Sequence, residues 1–170
     1  LDSLPEREIT SAFGEIIKYG AILDRDLFDL ISENIDDLLK LSNSILISNV
    51  IGKCAQIKAN IITEDELESD KRRILNFGHT IGHALEIYFD FKILRHGEAV
   101  AFGMLAAGIL SVENAKLPIE EFHLLNNIIN RLPLPDLPDF DSKSVIDIMY
   151  NDKKMQLGEL NFILLEGIGN

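Results

Sequence analysis

The sequence predicts an all-α, multi-helical domain with at most a short β element near its C-terminus. Apolar residues recur at helical spacing along most of the 170 residues. No glycine-rich turn of the kind that joins a strand to a helix and cradles a dinucleotide pyrophosphate occurs anywhere in them. Repeats and low-complexity tracts are absent too. With 46% apolar residues the chain can bury one continuous core, so a single domain over 1–170 is expected, with no metal or disulfide needed merely to fold.

In chain order, Ile16, Ile17, Ile22 and Leu23 mark the first helix, behind a cap candidate at Thr10 or Ser11. A shorter pattern, Leu27, Leu30 and Ile31, follows Asp26. Ser44 to Ile62 reads as one long helix, because Ile47, Val50, Ile51, Cys54, Ile57 and Ile61 share a face. Glu64 to Arg73 is a charged break. Arg73 to Phe89 is helical again, Gly97 to Glu113 is a largely buried helix, and Ile119 to Leu132 is another. Leu132-Pro133-Leu134-Pro135-Asp136-Leu137-Pro138 cannot be helical, since its prolines remove donors and restrict the residues before them. A short helix from Ser142 to Tyr150 and a strand from Asn161 to Leu165 complete the chain.

A formal net charge of −12 repels nucleic acid and anionic membrane, so neither is expected as a partner. A small anionic substrate stays open, because a pocket can gather a few Lys and Arg locally. The lone cysteine, Cys54, reads as a buried thiol of a cytosolic protein. The longest uncharged apolar run, Ala99 to Val112, has 14 residues and is too short to span a bilayer. Leu1 to Thr10 does not look like a signal peptide, since Asp2, Glu6, Arg7 and Glu8 interrupt it. A soluble, cytoplasmic protein is the expectation. The opening Leu1-Asp2-Ser3-Leu4-Pro5, without Met, and the end at Asn170 read as boundaries of a piece excised from something longer.

The chemistry concentrates in Asn76-Phe77-Gly78-His79-Thr80-Ile81-Gly82-His83-Ala84-Leu85-Glu86. Histidines at i and i+4 share one helical face, while Gly78 and Gly82 let another backbone or a ligand come close. The spacing is that of zinc-binding His-Glu-x-x-His helices, but no Glu stands in second place, so a protease lacks its general base. Three of the four histidines, His79, His83 and His96, fall within 18 positions. His96 stands where an apolar helix begins, an environment that disfavours the imidazolium and suits a neutral ligand. A catalytic divalent ion takes three protein ligands and keeps a position open, and Glu15, on the helix Ser11 to Tyr19, offers a carboxylate. Spacing alone favours the blander readings, a surface or capped histidine pair and a solvated Glu15–Lys18 ion pair.

Taken together, Pro5-Glu6-Arg7-Glu8, Glu15-Ile16-Ile17-Lys18-Tyr19-Gly20, Leu75 to Ala84, His96-Gly97-Glu98-Ala99-Val100 and Asp152-Lys153-Lys154 resemble the ordered motif series of the 3-dehydroquinate synthases. The resemblance implies the helical C-terminal domain that these enzymes share with glycerol dehydrogenases. It implies Glu15, His79 and His96 as ligands of Zn2+ or Co2+, with His83 as a nearby polar or proton-transfer group. Lys18, Lys58, Glu68, Arg72, Asn76 and one of Lys153 and Lys154 would meet substrate. Arg72, Asn76, His79 and His83 follow i, i+4, i+7 and i+11, a single stripe along a helix or its approach. One departure stands out: Ala12, Phe13 and Gly14 precede Glu15 where the family tends to place Gly and then Ala.

The implied reaction converts 3-deoxy-D-arabino-heptulosonate 7-phosphate into 3-dehydroquinate and phosphate, in the shikimate route to aromatic amino acids. NAD transiently oxidises a substrate hydroxyl, phosphate leaves, the carbonyl is reduced and the ring closes by an aldol step. The implied partners are the sugar-phosphate substrate and an N-terminal NAD-binding α/β domain that this chain lacks; a homodimer stays open. The chain alone is therefore expected to bind metal without turnover. Three rivals remain at this point: another sugar-phosphate cyclase such as a 2-deoxy-scyllo-inosose synthase, a polyol dehydrogenase of the glycerol dehydrogenase type, and a non-catalytic helical module.

Overall fold

The computed structural model describes residues 3–66, 71–154 and 160–169, with side chains for all of these except 152–154. Among the described residues there are seven α-helices, α1 (Glu6–Leu23), α2 (Arg25–Leu39), α3 (Ser44–Glu64), α4 (His79–Tyr88), α5 (His96–Asn114), α6 (Ile119–Ile129) and α7 (Ser142–Lys154), with a 3-10 helix at Lys71–Asn76. None of these residues forms a strand.

The first helix begins earlier than its cap candidates suggest. Pro5 starts it, with its carbonyl accepting from Glu8 N at 2.9 Å. Thr10 instead donates its hydroxyl to Glu6 O at 3.1 Å, and Ser11 Oγ accepts from the backbone of Gly97 at 3.0 Å. Asp24 caps α2 by accepting from Leu27 N at 2.8 Å, so α2 starts ahead of Asp26 and runs much further than the short pattern at Leu27 to Ile31. It continues through a kink at Asn34, whose side chain donates to Leu30 O at 2.8 Å. Asn43 caps α3 in the same way, from Leu46 N at 3.0 Å.

The helix expected from Arg73 to Phe89 is two elements. Gly78 sits between them at φ +77°, a left-handed conformation that glycine adopts without penalty. A Cβ there would lie 2.8 Å from Val100 O and 2.7 Å from Met104 Cγ, so close packing on α5 dictates the break. Arg72 and Asn76 therefore ride on the 3-10 helix and His79 and His83 on α4, and the single stripe is divided.

The strand expected at 161–165 does not form. Its backbone groups find side chains instead of a neighbouring strand: Leu165 N donates to Ser111 Oγ at 3.0 Å, and Asn161 O accepts from Thr80 Oγ1 at 3.2 Å. The proline-rich spacer is non-helical as expected, and beyond it α7 packs on α4 through Ala84, Leu85, Val145 and Met149.

The main core joins α1, α2, α5 and α6 through Ile17, Ile22, Phe28, Ile35, Val100, Met104, Leu125 and Ile129. Burial of so many large side chains is the principal stabilising term. Helix α3 covers one side with Ile47, Val50, Cys54 and Ile61 and turns Ser48, Asn49, Gln56 and Asn60 outward. It is the one helix among the described residues with the length and apolar composition to cross a membrane. Lys53 and Lys58 interrupt its apolar run, so a search for uncharged stretches passes over it. Cys54 is buried as expected, and burial pushes its thiol up to about 11.

Candidate metal centre

Three helix segments meet where their backbones nearly touch. A Cβ on Gly14 of α1 would stand 2.0 Å from Gly97 O of α5, and one on Gly97 would stand 1.7 Å from Ser11 O. These glycines directly precede Glu15 and follow His96, so the closest crossing of the two helices sets both side chains at one point. Gly14 is thus required where it stands, whereas Ala12 points to solvent. On the other side, a Cβ on Gly103 would lie 2.0 Å from Gly78 O, and one on Gly82 would lie 3.0 Å from Ala99 O. Helix α4 is thereby drawn onto α5, with His79 and His83 beside His96.

The three imidazoles form a triangle with centroid separations of 5.2 Å for His79–His96 and 5.5 Å for each of the pairs with His83. Glu15 Oε1 lies 3.5 Å from His79 Nε2 and 3.6 Å from His96 Nε2. Its other oxygen accepts from Lys18 Nζ at 2.8 Å. Oε1 itself is buried and has no hydrogen-bond partner.

Both rings are oriented from behind. His79 Nδ1 faces Phe77 O at 3.2 Å, and His96 Nδ1 faces both oxygens of Glu86 at 3.3 Å. Each of these is an acceptor, so Nδ1 carries the hydrogen and Nε2 presents a lone pair. Burial, with Lys18 close by, brings His79 down to about 4, which keeps it neutral at pH 7. Two nitrogen lone pairs and an anionic oxygen consequently converge with no proton among them. That arrangement costs free energy unless a cation stands between. Donor atoms around a tetrahedral divalent ion with bonds near 2.05 Å are about 3.3–3.4 Å apart, close to the separations seen. The residues present fit such an ion.

His79, His83 and His96 also bring ligand atoms within 4.8 Å of one another. Glu15 is nonetheless the better third ligand, because its Oε1 faces both Nε2 atoms at 3.5 and 3.6 Å, buried and unpartnered, whereas His83 is exposed. His96 is half exposed at the rim, not directed into the interior as its place before an apolar helix suggests. The centre is open on the side of His83 and His96.

Glu15 and Lys18 do form an i,i+3 pair, but not a solvated one. The Lys18 side chain is 3% exposed. Burial opposes the charge of both, and pairing opposes burial: Lys18 is lowered on balance, while the Lys18 ammonium and the two imidazoles hold the Glu15 carboxyl below its ordinary value. Lys58, exposed on α3, is near enough to add like charge to Lys18. Arg72 is half buried, with its amide donating to Asp65 Oδ2 at 3.0 Å and Nη1 to Glu66 O at 3.3 Å. Asn76 is exposed at the end of the 3-10 helix. Glu68 lies outside the described residues, and Lys153 and Lys154 fall in α7 with side chains outside the described ones.

Sequence reasoning misses three residues of this region. Glu86 is two helical turns from His79, a spacing that places both on one face. Arg7 and Glu98 are the other two: Arg7 Nε and Nη2 each reach the fully buried Glu98 carboxylate at 2.7 Å. Glu98 also accepts from Arg95 N at 2.7 Å, which fixes the turn that presents His96. Their signal is that both stand inside motif blocks otherwise read for their neighbours.

The family model for the 3-dehydroquinate synthase C-terminal region matches residues 12–155. The chain is 42% identical over 170 residues to the 3-dehydroquinate synthase of Geobacter sp. strain M21 and 39% identical over 171 residues to that of Desulforamulus reducens. In both cases 99% of the chain aligns with 47% of the relative, so the chain spans about half the length of these curated relatives. Among solved structures, 2-deoxy-scyllo-inosose synthase complexed with carbaglucose-6-phosphate, NAD+ and Co2+ superposes at TM-score 0.85 and 28% identity, over 100% of this chain and 48% of that one. The 2-epi-5-epi-valiolone synthase of Streptomyces hygroscopicus, with NAD+ and Zn2+ bound, shares the fold at TM-score 0.86 and 23% identity, over 99% of this chain and 47% of that one. A matched region that begins ahead of Glu15 and runs past His79 and His96 places this chain in the 3-dehydroquinate synthase C-terminal family.

Proposed function

We propose that the chain is the metal- and substrate-binding half of a 3-dehydroquinate synthase, which converts 3-deoxy-D-arabino-heptulosonate 7-phosphate to 3-dehydroquinate and phosphate. The observation that carries the reading is the buried, unpartnered Glu15 Oε1 facing two imidazole Nε2 atoms at 3.5 and 3.6 Å. Glu15, His79 and His96 would hold Zn2+ or Co2+. When bound, the metal supplies Lewis-acid polarisation of substrate oxygens, and NAD supplies hydride acceptance and return.

The chain's own residues bind, orient and move protons. Lys18 ties up Glu15 Oε2 and leaves Oε1 turned to the centre. Its buried ammonium also sets a positive charge beside the place where an anionic substrate would lie. Lys58, Arg72 and Asn76, with Glu68 and one of Lys153 and Lys154, would grip carboxylate and phosphate, with Arg able to engage two oxygens at once. His83, exposed and 5.5 Å from both neighbouring rings, is placed to hold or pass a proton at a ring nitrogen on the open side. A sister cyclase could use the same constellation. Identities of 39–42% to 3-dehydroquinate synthases, against 28% to 2-deoxy-scyllo-inosose synthase, favour the former.

Phosphate release from the heptulosonate phosphate, with NAD and Co2+ present, tests the reading. The 170 residues alone should release none, and a fusion to the N-terminal half of the Geobacter sp. relative should turn over. Turnover by the chain alone would refute the division of labour, and a fusion active only on glucose 6-phosphate would move the assignment to the sister cyclase.

A further inference from the structure

Behind the ligand set lies a carboxylate that neither grips metal nor faces substrate. Glu86 stands near the C-terminal end of α4, its side chain 10% exposed. Burial of a carboxylate is costly unless its charge meets donors. Among the described residues the partner found is one nitrogen, His96 Nδ1, at 3.3 Å from each Glu86 oxygen. His96 is the first residue of α5, and its side chain is 47% exposed. At a helix end and half exposed, an untethered imidazole could turn either nitrogen to the centre or swing out.

We infer that Glu86 is a positioning residue. It clamps His96 with Nδ1–H held, so that the Nε2 lone pair points at Glu15, and its negative charge makes that nitrogen the stronger donor. This rests on the metal reading above. Helix α4 thus does two jobs for one centre: it contributes His79 directly and, two turns on, aims a ligand that belongs to another helix. The two histidines differ in backing, since His79 Nδ1 has a neutral carbonyl and His96 Nδ1 an anion. A carboxylate partner of this kind changes metal affinity by about 10- to 100-fold when removed.

Titration of the metal-free chain with Co2+, followed by visible absorption and by proton NMR of the exchangeable imidazole hydrogens, tests the inference. The unaltered chain should bind one Co2+ and show two paramagnetically shifted exchangeable signals, from His79 and His96. Glu86→Gln, which keeps an acceptor but no charge, should weaken binding about tenfold, and Glu86→Ala about a hundredfold. In Glu86→Ala the His96 signal should vanish through exchange while that of His79 persists, a selective loss that general destabilisation does not produce. Unchanged affinity with both signals kept in Glu86→Ala overturns the role of Glu86 and leaves the metal reading intact. Failure of the unaltered chain to take up Co2+ overturns the metal reading, and this role with it.

Discussion

The two halves of this domain are packed by different means. Around α2 and α6, contact is made by long aliphatic side chains such as Ile31, Ile35, Leu125 and Ile129, all fully buried. Where α1, α4 and α5 meet, contact is made by backbone, at Gly14 against Gly97 and at Gly103 against Gly78, and the buried charged side chains Lys18, Glu86 and Glu98 lie there as well. Side chains repack around a change and backbones at van der Waals distance do not. The aliphatic half therefore provides most of the stability, and the glycine half fixes where Glu15, His79, His83 and His96 stand.

The sharpest way to break that contrast is Gly97→Ala. Its Cβ would stand 1.7 Å from the Ser11 carbonyl oxygen, a backbone atom that can yield only if α1 and α5 separate. We expect a loss of at least about 3 kcal/mol, toward the upper end of what overpacking costs, together with loss of Co2+ binding. Urea titration and Co2+ absorption report the two effects. A variant that melts normally and binds Co2+ normally would show that the junction is not the rigid element.

Leu125→Ala should separate stability from site geometry. The side chain is fully buried in the aliphatic half, so truncation should cost about 2–5 kcal/mol. Co2+ affinity should stay at its original value wherever the variant is folded. Parallel losses of stability and affinity would mean that the halves are one cooperative unit with no division between them.

The pH dependence of the metal-free chain sharpens the comparison further. His79 is held down to about 4, mainly by burial, against 6.5 for the free side chain. Between those values the unfolded chain binds the proton that the folded chain refuses. Stability from this source is therefore complete above about pH 6.5 and lost as pH falls toward 4. Thermal melts from pH 7.5 to 4.5 should show this decline, and His79→Gln should flatten it. Saturating Co2+ should steepen it, because the ligands must be deprotonated to bind.

How far the sequence reveals these features depends on what kind of contact makes them. Histidine spacing and clustering point to His79, His83 and His96 without a fold, because a helix face is a local property. Glu15 emerges only through the ordered motif series, since its distinguishing feature, a buried oxygen facing two ring nitrogens, is made by three separate segments. Gly78 hides its break for the same reason: a glycine within a helical pattern costs only about 1 kcal/mol, and the pressure for φ +77° comes from α5. The strand expected at 161–165 has the composition of one and finds no strand to pair with among the described residues. Glu86 and the Arg7–Glu98 pair are invisible locally because each is defined by a partner on another element.

The smallest effect expected comes from a glycine in neither half. Gly52 lies mid-way along α3, exposed, and a Cβ there would meet nothing within 4 Å. No backbone approaches it and its φ is not left-handed, so the reasons that fix Gly14, Gly78 and Gly97 do not apply. Gly52→Ala should stabilise the chain by about 0.5–1 kcal/mol through helix propensity and a less flexible unfolded state. The readout is the urea midpoint at unchanged slope, with Co2+ affinity unaltered. The sign is the informative part: the same substitution that disrupts the fold at Gly97 should strengthen it at Gly52, so what decides a glycine's role here is the backbone opposite it. A loss of stability in Gly52→Ala would show instead that the exposed face of α3 is in close contact with something in solution.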